Sequence, residues 1–209
     1  MLLSIIEYGM GNVRSVYNAF QLLGQQVEIT NDPISIKKSD AIILPGVGAF
    51  SDGIENLKKT GIYNILQHEV LINKKPYLGI CLGLEFLAEK SYEGGTHNGF
   101  GWIKGNVIKI EPNDPKLKVP HMGWDDTTVK NDQSILKELK DPSFYFLHSY
   151  HFQVAESEKD CVTSTCDYGG IPLVATVQKE NIHAVQFHPE KSQENGLMLL
   201  KNFLDFVRK

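Results

Sequence analysis

Short apolar runs alternate with helical stripes through the first half of the chain. SIIEY (4–8) reads as a core strand that passes through Gly9-Met10-Gly11-Asn12 into a helix, where Val13, Val16, Tyr17, Phe20 and Leu23 recur at 3.6-residue spacing before Gly24 stops it. QVEIT (26–30), AIILP (41–45) and YLGI (77–80) read as further strands, and IYNILQHEVL (62–71) carries a second helical stripe. Such alternation builds a parallel sheet with helices on both faces. The second half differs: NVIKI (106–110), TTVK (127–130), FYFLHSY (144–150), PLVATV (172–177) and HAVQF (183–187) are separated by turn residues, with one helix expected at 134–140. A partly antiparallel extension is expected there. Leu197, Leu200, Leu204 and Val207 mark one face of a closing helix. No repeat or linker interrupts the pattern, so residues 1–209 are expected to form one α/β domain.

Composition narrows the class of partner. A formal net charge of −4 gives no electrostatic reason to expect nucleic acid or an anionic membrane surface. No apolar stretch approaches the roughly 18 residues that cross a bilayer, and MLLSIIEYGMGN has no basic leader, so a soluble cytoplasmic protein is expected. Three cysteines, Cys81, Cys161 and Cys166, are an odd number and suit reduced thiols. Cys161 and Cys166 sit among β-branched residues with no histidine following at zinc-ligand spacing; they read as buried packing, and no metal is expected.

Cys81 is different. It lies between glycines in Gly79-Ile80-Cys81-Leu82-Gly83, where a buried strand meets a helix carrying Leu84, Phe86 and Leu87, which is the pattern of a nucleophile elbow. The turn leaves little room for Cβ atoms, and a helix N-terminus beneath the sulfur would favour the thiolate. A buried structural cysteine packed beside two small residues is the competing reading.

HAVQFHPEKS places His188 and Glu190 two apart beyond another apolar strand, so alternation would point both the same way. A carboxylate beside an imidazole fixes its tautomer and supports the imidazolium, the third role in a Cys-His-acid triad. A turn-capping histidine beside a solvated acid is the bland alternative. Both signals fall at the carboxyl ends of expected strands, where open α/β sheets bind ligands. LPGVGAF (44–50) adds a loop with Pro45, Gly46 and Gly48 whose amides can turn toward an anion, although an ordinary strand-to-helix turn has the same composition.

GICLG, PGVG and FHPEKS, in this order, resemble the class I, or triad, glutamine amidotransferases. More narrowly, YGMGN (8–12), PGVGAF (45–50), GICLG (79–83), PHMGW (120–124), FYFLHSY (144–150) and FHPEKS (187–192) resemble the glutaminase subunits of imidazole glycerol phosphate synthases, across nearly the whole chain. The resemblance implies a flavodoxin-like α/β fold, with Cys81 as nucleophile, His188 as base and acid, and Glu190 as its orienter. It implies oxyanion donors at the backbone of Leu82 and of the Val47-Gly48 peptide, a peptide that can reorient in this family. By the same match Glu93 meets the glutamine ammonium, and the backbone of Ser149 and Tyr150 meets its carboxylate. Met10, Asn12, Trp124, Tyr145 and Lys191 fall on positions that line the interface with a (β/α)8-barrel cyclase, to which ammonia passes for imidazole ring closure in histidine synthesis. No cofactor is implied.

Two positions depart from the family pattern. Glu85 stands at a glutamine-binding position where glutamine is usual, and an ionised carboxylate there would oppose thiolate formation at Cys81. Asp125 replaces the asparagine that usually follows PHMGW. Three functions therefore stay open: the histidine-pathway glutaminase, a paralogue feeding a sugar-amidinating synthase for surface polysaccharides, and a scaffold whose catalysis Glu85 has weakened. A stand-alone cysteine hydrolase ranks below these, because PHMGW and FYFLHSY would have no purpose in it.

Overall fold

A computed structural model describes residues 1–131, 135–139 and 142–209. The central strands, Ala41–Gly46 and Tyr77–Cys81, form where the apolar run is continuous, because burial on both faces removes any need for alternation. Five parallel strands lie in the order β2 (Gln26–Thr30), β1 (Leu2–Ile6), β3 (Ala41–Gly46), β4 (Tyr77–Cys81) and β14 (Ile182–Val185). The same sheet continues antiparallel through β13 (Pro172–Lys179), β12 (Val162–Asp167) and β9 (Thr128–Val129). The expected open, mostly parallel sheet with an antiparallel extension is what forms.

Helices cover both faces. Leu3, Ile5, Ile43, Leu78 and Ile80 point to one side, where Val16 and Phe20 of α1 (Val13–Leu22) and Leu199 and Phe203 of α6 (Gln193–Val207) meet them. Ile6, Ile42 and Leu44 point to the other, against Ile36 of α2 (Pro33–Lys38), Phe50 and Leu57 of α3 (Phe50–Lys59) and Leu66 of α4 (Ile62–Leu66). The helical stripe at 62–71 runs on from α4 as a wider π-type turn over Gln67–Ile72. The helix following Cys81, α5 (Leu82–Glu85), is a single turn.

Two smaller sheets rise beside the main one. β11 (Tyr150–Val154) pairs with β7 (Gly105–Lys109), which leads to β5 (Lys90–Ser91) and β6 (His97–Asn98). β8 (His121–Asp126) and β10 (Ser143–His148) make a separate antiparallel ribbon. FYFLHSY is therefore two strands in two sheets, broken at Ser149, and HMGWDD is a strand that the sequence pattern did not mark. The helix expected at 134–140 does not form at its described residues. Residues 135–138 make turns, Glu138 has a φ of +66°, and Asn202 Nδ2 donates to the carbonyls of Ile135 and Lys137, the first of which a helix would have needed. Residues 134 and 140 lie outside the described part. Among the described residues, no helix is long and apolar enough to cross a membrane.

Candidate active site

Sheet order decides what meets Cys81. In register, Gly46 at the end of β3 lies beside Cys81 at the end of β4, and β14 runs along the other flank of β4, delivering the chain to His188. Cys81 has a φ of +55° and a ψ of −108°, a strained backbone for a residue with a side chain. The glycines permit it by giving up volume. A Cβ on Gly83 would land on the Leu44 carbonyl, one on Gly79 on the Gly83 carbonyl, and one on Gly46 would come 2.8 Å from Leu82 Cβ. The elbow expected from GICLG is present.

His188 and Glu190 are both buried, and His188 Nδ1 donates to Glu190 Oε1 across 2.9 Å. Strand alternation, the expected cause, does not bring them together. β14 ends at Val185, and Pro189–Lys191 folds as a 3-10 turn that returns Glu190 to the imidazole. The turn is pinned by His188 N–H donating to the Tyr145 carbonyl (2.9 Å) and Ser192 Oγ donating to the His188 carbonyl (2.6 Å). With Nδ1 committed to Glu190, the lone pair is left on Nε2, which is buried and has no hydrogen-bond partner. Cys81 Sγ donates weakly to the Leu147 carbonyl at 3.9 Å. Sulfur and imidazole thus face one cavity without a hydrogen bond between them.

The thiolate expectation is corrected. Burial pushes the Cys81 thiol well above its ordinary pKa, Glu85 and Glu190 push it further, and the Leu82 amide opposes them only in part. A single-turn helix has too few aligned peptides to reverse this. Cys81 therefore rests as a thiol.

A cavity of about 330 Å³ opens over the sulfur. Val47, Gly48, Leu82, Glu85, Glu93, Ser149 and Tyr150, each singled out in the sequence, all line it with Cys81 and His188. Glu93 Oε2 accepts from the Phe50 amide at 2.7 Å, which fixes this carboxylate at the rim. Glu85 is buried, and Gln186 Nε2 donates to its Oε1 at 3.0 Å. Desolvation raises the Glu85 carboxyl to about 8, with Gln186 opposing and Glu93 adding to the rise. At neutral pH Glu85 is mostly a neutral acid, close in shape and hydrogen bonding to the usual glutamine.

Pro120, Leu147 and His148 also line the cavity and were not assigned there from sequence. Burial first, and then His121, His151 and His188, hold the His148 ring neutral, with a pKa near 3, against the opposing Tyr150 carbonyl. The pairing of His148 with His121 in β10–β8 register was not readable without the fold.

Large side chains stay exposed near Tyr145, whose carbonyl holds the His188 amide. Trp124 is 48% exposed and Met122 65% exposed; Trp124 meets Tyr145 edge-on with ring centroids 6.4 Å apart, and Lys191 Nζ lies 5.6 Å from the Tyr145 ring centre. Asn12 Nδ2 reaches Glu190 Oε1 at 3.4 Å, and Met10 packs so closely that a Cβ on Gly48 would come 2.7 Å from its Cε. All five residues expected at a partner surface therefore gather around the triad. An exposed tryptophan is more telling than a packed one.

Residues 4–206 match the family described as Glutamine amidotransferase class-I. The chain is 43% identical to the imidazole glycerol phosphate synthase subunit HisH of Methanothermobacter thermautotrophicus, over 99% of this chain and 100% of that one. It is 45% identical to the HisH subunit of Caldanaerobacter subterraneus subsp. tengcongensis, over 99% of each. In fold it resembles the PurLQS structure from Thermotoga maritima, with a TM-score of 0.74 at 18% identity and coverage of 99% and 98%. A cysteine elbow, a buried His-Glu pair and a glycine loop around one cavity agree with these matches, and the chain belongs to the class I glutamine amidotransferases, among the HisH subunits of imidazole glycerol phosphate synthase.

Proposed function

We propose that this chain is the glutaminase half of an imidazole glycerol phosphate synthase, releasing ammonia from glutamine and passing it to a (β/α)8 cyclase in the cytoplasm. The observation that carries the reading is the shared cavity of Cys81 and His188, with Glu190 fixing the imidazole tautomer. Glutamine enters with its ammonium toward Glu93 and its carboxylate toward the Ser149-Tyr150 backbone.

The Cys81 thiol gives its proton to His188 Nε2, and the thiolate attacks the glutamine amide carbon. The oxyanion draws on the amides of Leu82 and the 47–48 peptide, each worth roughly 3 kcal/mol when aimed at the developing charge. Imidazolium His188 protonates the departing nitrogen, ammonia leaves, and a γ-glutamyl thioester remains on sulfur. Water, deprotonated by His188, then attacks the thioester, so that glutamate leaves and Cys81 recovers its proton.

A thiol of raised pKa with no hydrogen bond to its base suits an enzyme that stays latent until its partner docks. The cyclase would press on Met10 and Trp124, and Met10 touches the 47–48 loop directly. The neutral Glu85 favours the enzyme over a scaffold, because a protonated acid binds glutamine much as the usual amide does. Glutamate release with a saturating histidine-pathway cyclase tests this: wild type turns over and Cys81→Ala does not. Activity with a sugar-amidinating synthase alone, or none with either partner, would overturn the assignment.

A further inference from the structure

Behind the β8–β10 ribbon, three side chains of different chemistry converge outside the glutamine cavity. His121 and Asp125, four apart on β8, share one face of the strand, and Cys166 approaches from β12. One imidazole nitrogen, one carboxylate oxygen and the sulfur all lie within 4.8 Å of one another. His121 and Cys166 are buried, while Asp125 keeps one side toward solvent.

Hydrogen bonding fixes which nitrogen of His121 faces this cluster. His148 Nδ1 lies 2.7 Å from the Tyr150 carbonyl, and a carbonyl only accepts, so a proton sits on Nδ1 and, in the neutral ring, the lone pair is on Nε2. That Nε2 is 3.1 Å from His121 Nδ1, which must therefore be the donor. Neutral His121 is left with its own lone pair on Nε2, 3.3 Å from Asp125 Oδ2. Two electron-rich atoms at that separation require a cation between them, either a proton or a metal.

We propose that His121 Nε2, the Asp125 carboxylate and Cys166 Sγ form a binding site for one zinc-class divalent cation, with the fourth position open to water beside Asp125. In a tetrahedral zinc site, bonds of about 2.0 Å to nitrogen and oxygen and about 2.3 Å to sulfur put neighbouring ligand atoms roughly 3.3–3.6 Å apart. The His121–Asp125 separation already has that value, and the sulfur closes by at most about 1.2 Å. A nitrogen, oxygen and thiolate set selects zinc or cobalt over magnesium or calcium. Binding involves no redox step: Cys166 releases its proton to solvent and the thiolate takes the metal. His148, holding His121 from its other nitrogen, is the outer support such ligands usually have, and it ties the metal to the wall of the glutamine cavity. The cluster is invisible to spacing rules, because β8 and β12 bring together residues far apart in the chain.

The reduced, metal-free full chain is titrated with Co²⁺ and followed by absorption. One cobalt per chain is expected, with tetrahedral ligand-field bands and a thiolate-to-cobalt charge-transfer band, both displaced by Zn²⁺. Cys166→Ser should remove the charge-transfer band, Cys81→Ser should leave it, and Asp125→Asn, on the exposed side where folding is spared, should weaken binding at least tenfold. No band in wild type, a band that survives Cys166→Ser, or unchanged affinity in Asp125→Asn would each overturn the site.

Discussion

Replacing Glu85 with glutamine should change how stability depends on pH, and the structure gives the size of the change. The Glu85 carboxyl ordinarily titrates at 4.5 and is raised to about 8 in the fold, by burial first and by Glu93 after it, with Gln186 partly opposing. Between those two values the folded chain keeps the proton and the unfolded chain has lost it. Unfolding therefore releases a proton, and stability falls as pH rises from 4.5 to about 8, levelling off above. Each pH unit in that window costs about 1.4 kcal/mol, so the full penalty is up to about 5 kcal/mol. Glutamine carries no such penalty and still offers an oxygen to Gln186 Nε2. Between about pH 5.5 and pH 8.5 the variant should gain roughly 3 kcal/mol on wild type. At about 2–4 °C per kcal/mol for a chain of this size, the difference in Tm between the two proteins should widen by roughly 6–12 °C. Thermal unfolding followed by circular dichroism across that range measures it, and carboxylates common to both proteins cancel in the difference. A Tm difference that stays constant with pH would refute the reading of Glu85 as a buried neutral acid.

Three further outcomes follow from other parts of the molecule. Gly83→Ala drives a methyl into the Leu44 carbonyl and should cost about 3 kcal/mol or more, seen as a Tm lower by roughly 6 °C or more in differential scanning calorimetry. Glu190→Gln frees the His188 tautomer and should lower partner-stimulated glutaminase kcat by roughly 10²–10⁴, with little change in KM in a coupled glutamate assay. Asn181 Nδ2 donates to the Val70 and Lys75 carbonyls; Asn181→Ala should destabilise by about 1–3 kcal/mol in urea unfolding while partner-stimulated kcat/KM stays at the wild-type value.

Much of this protein was set by local sequence. Continuous apolar runs such as Ala41–Leu44 suit a strand buried on both faces, and the 3.6-residue stripe from Val13 to Phe20 suits a helix lying on that sheet. Glycines at 79 and 83 around a cysteine announced a turn too tight for side chains, and the contacts awaiting a Cβ there explain why. Sequence also named Cys81, His188, Glu190 and the 47–48 loop, which the fold brings together.

Tertiary structure decided what depends on neighbours distant in the chain. The Cys81 thiol stays protonated chiefly because it is buried, and no local motif encodes desolvation. Glu190 reaches His188 through a turn anchored by Tyr145 and Ser192, although strand alternation predicted the same pairing for a different reason. The 134–140 segment has helical periodicity, yet Asn202 of α6 takes the Ile135 and Lys137 carbonyls in competition with it. His121, Asp125 and Cys166 meet only because β8 and β12 pack together. Periodicity and turn chemistry are properties of a few consecutive residues and survive in a linear reading; electrostatics and ligand geometry are set by distances in space, which only the fold supplies.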